Sequence, residues 1–102
     1  MATNPFPKAI ERIREVGWMR SPTDMHRGPT CIGLATSYAL GKLEPHYSGR
    51  NVLQDVTREL FGVGIITAND TIIETQEQAI EVLQKASEEW ERQYGSGESQ
   101  TQ

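Results

Sequence analysis

Thr30-Cys31-Ile32-Gly33-Leu34-Ala35-Thr36-Ser37-Tyr38-Ala39-Leu40-Gly41 runs from one end to the other without a charged side chain. A helix on a protein surface keeps a polar face, whereas one that is apolar or small on nearly every side is enclosed by its neighbours. The stretch therefore reads as a helix over about 30–40, ended by Gly41 and buried at the centre of an all-α fold. Cys31, Leu34, Ala35 and Tyr38 recur at helical spacing on it. Gly33 and Ala35 are small enough to let a neighbouring backbone come close, and Gly28 or Thr30 stands where a helix cap is needed.

Working outward, the neighbours of this segment are amphipathic. Upstream, Pro5 and Pro7 suit a helix start, because proline in the first turn forfeits only an N–H that would be unpaired anyway. Phe6, Ala9, Ile10, Ile13 and Val16 follow at helical spacing, with Glu11, Arg12, Arg14 and Glu15 on the wet side. Gly17 supplies a left-handed cap, and Trp18 stands ready to fold back onto the core. Residues 1–4 read as a loose end, and residues 19–29, with two prolines and a glycine, as a loop.

Downstream, a connector over 42–48 carries Pro45, and Ser48 can cap a third helix over 49–61. Val52, Leu53, Val56, Leu60 and Phe61 form its inner face, and Gly62 closes it. Residues 63–66 have the composition of a short extended segment, but no second strand pattern exists to pair it, so irregular packed backbone is expected. Asn69-Asp70 reads as a turn. Thr75 with Gln78 matches a capping box, opening a fourth helix over 76–93 with the stripe Ala79, Ile80, Leu83, Ala86 and Trp90. Glu81–Lys85 and Glu88–Arg92 support it at i,i+4. The expectation is a compact bundle of about four helices, one domain over 1–94, with a flexible polar tail over 95–102.

Composition bounds the function classes. One cysteine makes no internal disulfide, and with only His26 and His46 it builds no thiolate zinc site, so neither metal nor cofactor is expected. The N-terminal residues lack the charged head and apolar run of a signal peptide, and no apolar stretch nears the roughly 20 residues that span a bilayer. A single thiol fits a reducing compartment, and the expected location is the cytoplasm, away from membranes. The net charge of −4 opposes general nucleic-acid binding. Charge is also unevenly spread: residues 1–58 carry eight Lys/Arg against five Asp/Glu, and residues 59–102 two against nine. Surfaces of opposite sign bear on association and not on fold.

Three groups of residues have chemistry to offer. Cys31 near a helix N-terminus has its thiolate favoured by the dipole and free N–H groups. His26 upstream is a candidate base, with Asp24 or Asp70 to orient it, which would make a Cys–His–Asp nucleophile; the alternative is a small core residue. Arg20, His26 and Arg27 precede the second helix, where an anion or a partner's carboxylate could sit; the alternative is solvated loop charge. Arg50, Gln54 and Arg58 share a face of the third helix, with Asn51 and Thr57 nearby, and these side-chain types read base edges. The connector before that helix is, however, longer than the three or four residues of a helix-turn-helix. Asn69 and Asp70 fall short of a calcium loop.

Several of these landmarks coincide in one known pattern. Gly17-Trp18 closes the first helix, Gly28-Pro29-Thr30-Cys31 opens a small-residue helix containing Ala35, Asn69-Asp70 precedes Thr75, and a last helix passes through Val82, Leu83 and Ala86. The chain thereby resembles, over most of residues 6–90, a small domain family of unknown function from actinobacteria and their bacteriophages. It departs from that family at Ala68, where an aromatic residue commonly precedes the Asn-Asp pair, so no role for the pair is carried over. The resemblance implies a setting, the cytoplasm of a host cell, and no chemistry. The function expected is a non-enzymatic module that binds a host or phage protein, with self-association through a helix face as a further use of such a surface. The alternatives are a cysteine-dependent enzyme using Cys31 and His26, and a weak DNA-binding regulator acting through the third helix.

Overall fold

A computed structural model describes residues 4–20, 28–41 and 48–95. Apart from one isolated bridge between Trp18 and Thr30, the secondary structure among them is helical: α1 (Phe6–Val16), α2 (Ile32–Gly41), α3 (Ser48–Phe61), a single turn α4 (Ile65–Thr67), and α5 (Gln76–Trp90). One π-turn, Ala68–Ile72, extends α4, and another, Glu91–Gly95, extends α5. The tail expected beyond Gly95 and the connector containing Pro45 lie outside the described residues, as do Asp24, His26 and Arg27.

The long helices form a ring in which α1 packs on α2 and α5, and α3 packs on the same two from the other side. Central placement of α2 follows: it touches every other α-helix, and each residue from Thr30 to Leu40 is buried or half-buried. Its inward face is rotated from the expected stripe. Ile32, Gly33, Ala35, Thr36 and Ala39 are buried, while Cys31, Leu34 and Tyr38 lie half-buried at its edge. The helix starts at Ile32, so Cys31 occupies a capping position and not the first turn. Thr36 is accommodated because its hydroxyl donates to the Ile32 carbonyl at 2.8 Å.

In α1, Phe6, Ala9, Ile10 and Ile13 face the core as their spacing predicts. Arg12 does not stay on the wet side. It is buried with its guanidinium 4.1 Å above the Tyr38 ring, while Nη1 lies 3.5 Å from Glu15. A planar, weakly hydrated cation can stack on an aromatic face of the adjoining helix. Gly17 ends α1 at φ 93°, with its N–H on the Ile13 carbonyl at 2.7 Å. Asn4, expected in a loose end, is tied down. Its Oδ1 accepts from Phe6 N at 3.0 Å, and its Nδ2 donates to Ser87 Oγ and Glu91 Oε2, each at 2.9 Å.

On α3 the buried set is Val52, Leu53, Val56 and Thr57. Phe61 is half-buried against the core, whereas Leu60, expected on the inner face, is exposed. Gly64 is extended, and Ile65 begins helical backbone where irregular or extended chain was expected. The Asn69-Asp70 turn is likewise replaced by the π-turn, in which Ile73 N donates to the Ala68 carbonyl at 2.9 Å. The cause is a helical spacing of inward residues (Ile65, Ala68, Asn69) running through the pair.

Helix α5 opens with the expected capping box. Thr75 Oγ1 accepts from Gln78 N at 3.1 Å, and Gln78 Oε1 accepts from Thr75 N at 3.2 Å and from Glu74 N at 2.7 Å. Val82 is buried where Ile80 was expected, beside Ala79, Leu83, Ala86 and Trp90. Neither i,i+4 ion pair forms among the described residues. Arg92 turns back to Glu89, whose Oε1 accepts from Arg92 Nε at 3.2 Å and whose Oε2 accepts from Gln93 at 2.6 Å.

Candidate functional site

The N-terminal end of α2 is where chain segments distant in sequence meet. After Gly17 the backbone pairs with Thr30: Thr30 N donates to the Gly17 carbonyl at 2.9 Å, and Met19 N to the Thr30 carbonyl at 2.8 Å. This bridge closes the base of the 19–29 loop against the start of α2. Arg20 reinforces the closure, donating from Nε at 3.0 Å and Nη2 at 2.7 Å to the Ile73 carbonyl. The cation read as an anion ligand is thus a brace between the loop and the chain after the π-turn.

Asn69 holds the junction together. It is 1% exposed. Its Oδ1 accepts from Trp18 Nε1 at 2.6 Å and from Ile32 N at 3.2 Å, while its Nδ2 donates to the Met19 carbonyl at 3.3 Å and to Asp70 Oδ1 at 3.1 Å. Two donated and two accepted bonds exhaust what an amide side chain offers. The site therefore rests on one saturated side chain that satisfies a helix-start N–H, an indole and a loop carbonyl.

Cys31 lies beside it. Its Sγ accepts from Leu34 N at 3.3 Å, the bond that a serine or threonine oxygen makes at a helix start. Burial pushes the thiol above its ordinary pKa. Backbone N–H groups of Leu34 and Gly33 act in the opposite direction, and more weakly still the charge of Asp70 raises it and that of Arg50 lowers it. The balance favours the protonated form, the reverse of what a helix N-terminus alone predicts.

Arg50 reaches across from α3. Its Nη1 donates to the Gly33 carbonyl at 3.2 Å and to Ser37 Oγ at 2.9 Å, pinning α3 to α2. Arg50, Cys31 and Asp70 line a cleft of about 260 Å³, whose apolar wall is Leu34, Ile65 and Ile66. Ile66 is 69% exposed at its lip.

Of the sequence candidates, Cys31, Asp70 and Arg50 are thus brought together, whereas His26 and Arg27 lie outside the described residues. Arg50, Gln54 and Arg58 do not present one solvent-facing row. Arg50 is engaged with α2, Gln54 is half-buried alongside Gly64, and Arg58 alone is exposed. Sequence reasoning missed Asn69 as a buried hub and Ile66 as a cleft wall. The available signal was the helical spacing from Ile65 to Asn69. No group of three or more metal-ligating side chains stands together among the described residues, and no helix among them is long and apolar enough to cross a membrane.

The described residues form a small all-α domain with a cleft built on its central helix. Comparison with protein-family models, with curated proteins and with solved structures finds no match to the chain.

Proposed function

We propose that the chain is a small non-enzymatic interaction module that binds another protein at the lip of this cleft. The observation that carries the reading is Ile66, a large aliphatic side chain left 69% exposed where the apolar wall of a cleft reaches the surface. Single exposed apolar residues are ordinary, but one continuous with a recessed apolar wall is what a binding face presents. The polar side chains around it serve the fold: Asn69 is saturated, Cys31 caps α2 and its thiol is held protonated. That arrangement supports recognition over nucleophilic chemistry. By its resemblance to a family of actinobacteria and their phages, the setting is the host cytoplasm, the gene phage-borne, and the partner a host or phage protein.

Site-specific photocrosslinking tests the reading. A benzophenone amino acid at position 66 should give a discrete adduct in host lysate, and the same group at Glu81, exposed on α5, should not. Equal labelling from both positions, or none from position 66, would remove the proposal. An adduct of doubled mass would make the partner a second copy of the chain.

A further inference from the structure

The cleft also carries information about what it accepts, an inference that rests on the interaction reading above. We infer that it receives the carboxyl-terminal residue of a partner polypeptide, one with an aliphatic side chain. The geometry begins with Arg50. Its Nη1 is fixed by the Gly33 carbonyl and Ser37 Oγ, which orients the guanidinium plane before any ligand arrives. Among the described residues neither Nε nor Nη2 has an acceptor. Those two N–H groups form the edge that takes a carboxylate in a bidentate, charge-assisted pair. A guanidinium already held in place loses little further freedom on binding.

The remaining lining selects among anions. Asp70 lines the same cleft, and a carboxylate repels a dianion such as inorganic phosphate more strongly than it repels a monoanion. A monocarboxylate attached to an apolar group keeps both the bidentate pair and the burial against Leu34, Ile65 and Ile66. The volume of about 260 Å³ falls just below the usual range of small-molecule sites. It suits a single residue. A terminal residue carries its side chain and its carboxylate on the same carbon, so one can lie on the isoleucine wall while the other meets Arg50. Ile66 then extends the apolar surface outside the cleft, where the preceding residues of the partner would lie.

The experiment is a titration of the ¹⁵N-labelled full chain with an N-acetylated pentapeptide of four alanines and a terminal leucine. The peptide is supplied as the free acid and as the carboxamide, with free leucine and inorganic phosphate as separate arms. The acid should shift the amides of Gly33, Leu34 and Ile66, and the carboxamide should bind at least about ten-fold more weakly. Arg50→Lys, which keeps the charge and loses the planar edge, and Ile66→Asp should each weaken the acid by a similar factor. Ile66 is exposed, so the second variant should keep the dispersed spectrum of the parent. Equal binding of acid and carboxamide, no binding of either, shifts confined to another face, or displacement of the peptide by phosphate would each overturn the inference. Free leucine binding as tightly as the peptide would also overturn it, since the site would then take an amino acid. Failure of the peptide with a surviving crosslink at position 66 removes only this inference. Peptide binding without a crosslink would uphold this inference and count against contact of the partner at position 66.

Discussion

At the scale of single residues, Asn69 and Cys31 each accept a backbone N–H at the α2 N-terminus. Asn69 supplies acceptors to two N–H donors from different parts of the chain, and removing it strands Trp18 Nε1, Ile32 N and the Met19 carbonyl. A buried polar group left without a partner costs about 1–3 kcal/mol, and the half-buried indole can recover part of its loss from water. Asn69→Ala should therefore destabilise the fold by about 2–4 kcal/mol in urea unfolding and abolish hydrogen-exchange protection of the Ile32 amide. A cost within 0.5 kcal/mol, the ordinary range of a surface substitution, would contradict the assignment. Cys31 is the milder case. Burial raises its pKa in the folded state, so its contribution to stability is fully present below the ordinary thiol value of about 8.5 and is lost as pH rises through the higher folded value. At pH 7 iodoacetamide should label native Cys31 at least about ten-fold more slowly than the urea-unfolded chain, with the gap narrowing at alkaline pH. A native rate equal to or above the unfolded one would return the cysteine-enzyme reading to contention. Cys31 was legible in sequence as a residue near a helix start. Asn69 was not, because three of its four partners stand 37 to 51 positions away and local rules see only a turn-forming pair.

At the scale of elements, what could be read was what is encoded locally. The glycines at 17 and 62, the Thr75–Gln78 box and the 3.6-residue spacing of α1, α3 and α5 mark their helices to within a few residues. Burial of Arg12 was invisible because it depends on Tyr38, a residue of another helix. Continuation of helix through residues 65–72 was obscured by the turn propensity of Asn-Asp, which inward packing overrides. Close approach between elements is a further property that composition only hints at. A Cβ added at Gly49 would stand 3.0 Å from Pro5 Cγ and 3.3 Å from Leu40 Cδ2. The proline ring is buried and has no rotamer to adopt in response. Alanine there gains up to about 1 kcal/mol of helix propensity against about 1–3 kcal/mol for overpacking. Gly49→Ala should thus lose about 1 kcal/mol net by thermal unfolding. Gly41→Ala, with nothing within 4 Å of the added methyl, should gain about 0.5 kcal/mol. The reverse order of the two variants would show that the contact of α3 with Pro5 and Leu40 is looser than its geometry implies.

At the scale of the whole molecule, the two tryptophans report on opposite ends of α1, Trp18 just past its C-terminus and Trp90 against Phe6 at its start. Trp18 belongs to the α2 junction through Asn69. Trp90 is fully buried at the end of α5, edge-on to Phe6 with ring centroids 6.5 Å apart, where Asn4 binds Ser87 and Glu91. Helix α1 packs against both α2 and α5, so Phe6, Ala9 and Ile13 share one core with Ile32, Ala35, Leu83 and Trp90. A continuous core of this kind in a chain of 102 residues should open in a single step. Variants keeping one tryptophan each, Trp18→Phe and Trp90→Phe, allow that to be measured. Within each variant the urea midpoint from tryptophan emission should coincide with that from far-ultraviolet circular dichroism. Trp90→Phe should have the lower midpoint, because it shrinks a fully enclosed ring, whereas Trp18→Phe gives up one hydrogen bond at a half-buried position. The losses should be about 1–3 kcal/mol and about 1 kcal/mol respectively. If emission from Trp18 changed well before the helical signal, the α2 junction would be opening as a separate unit. The cleft would then be a surface that forms and dissolves within the native state, and the preorganisation argued for Arg50 would have to be abandoned.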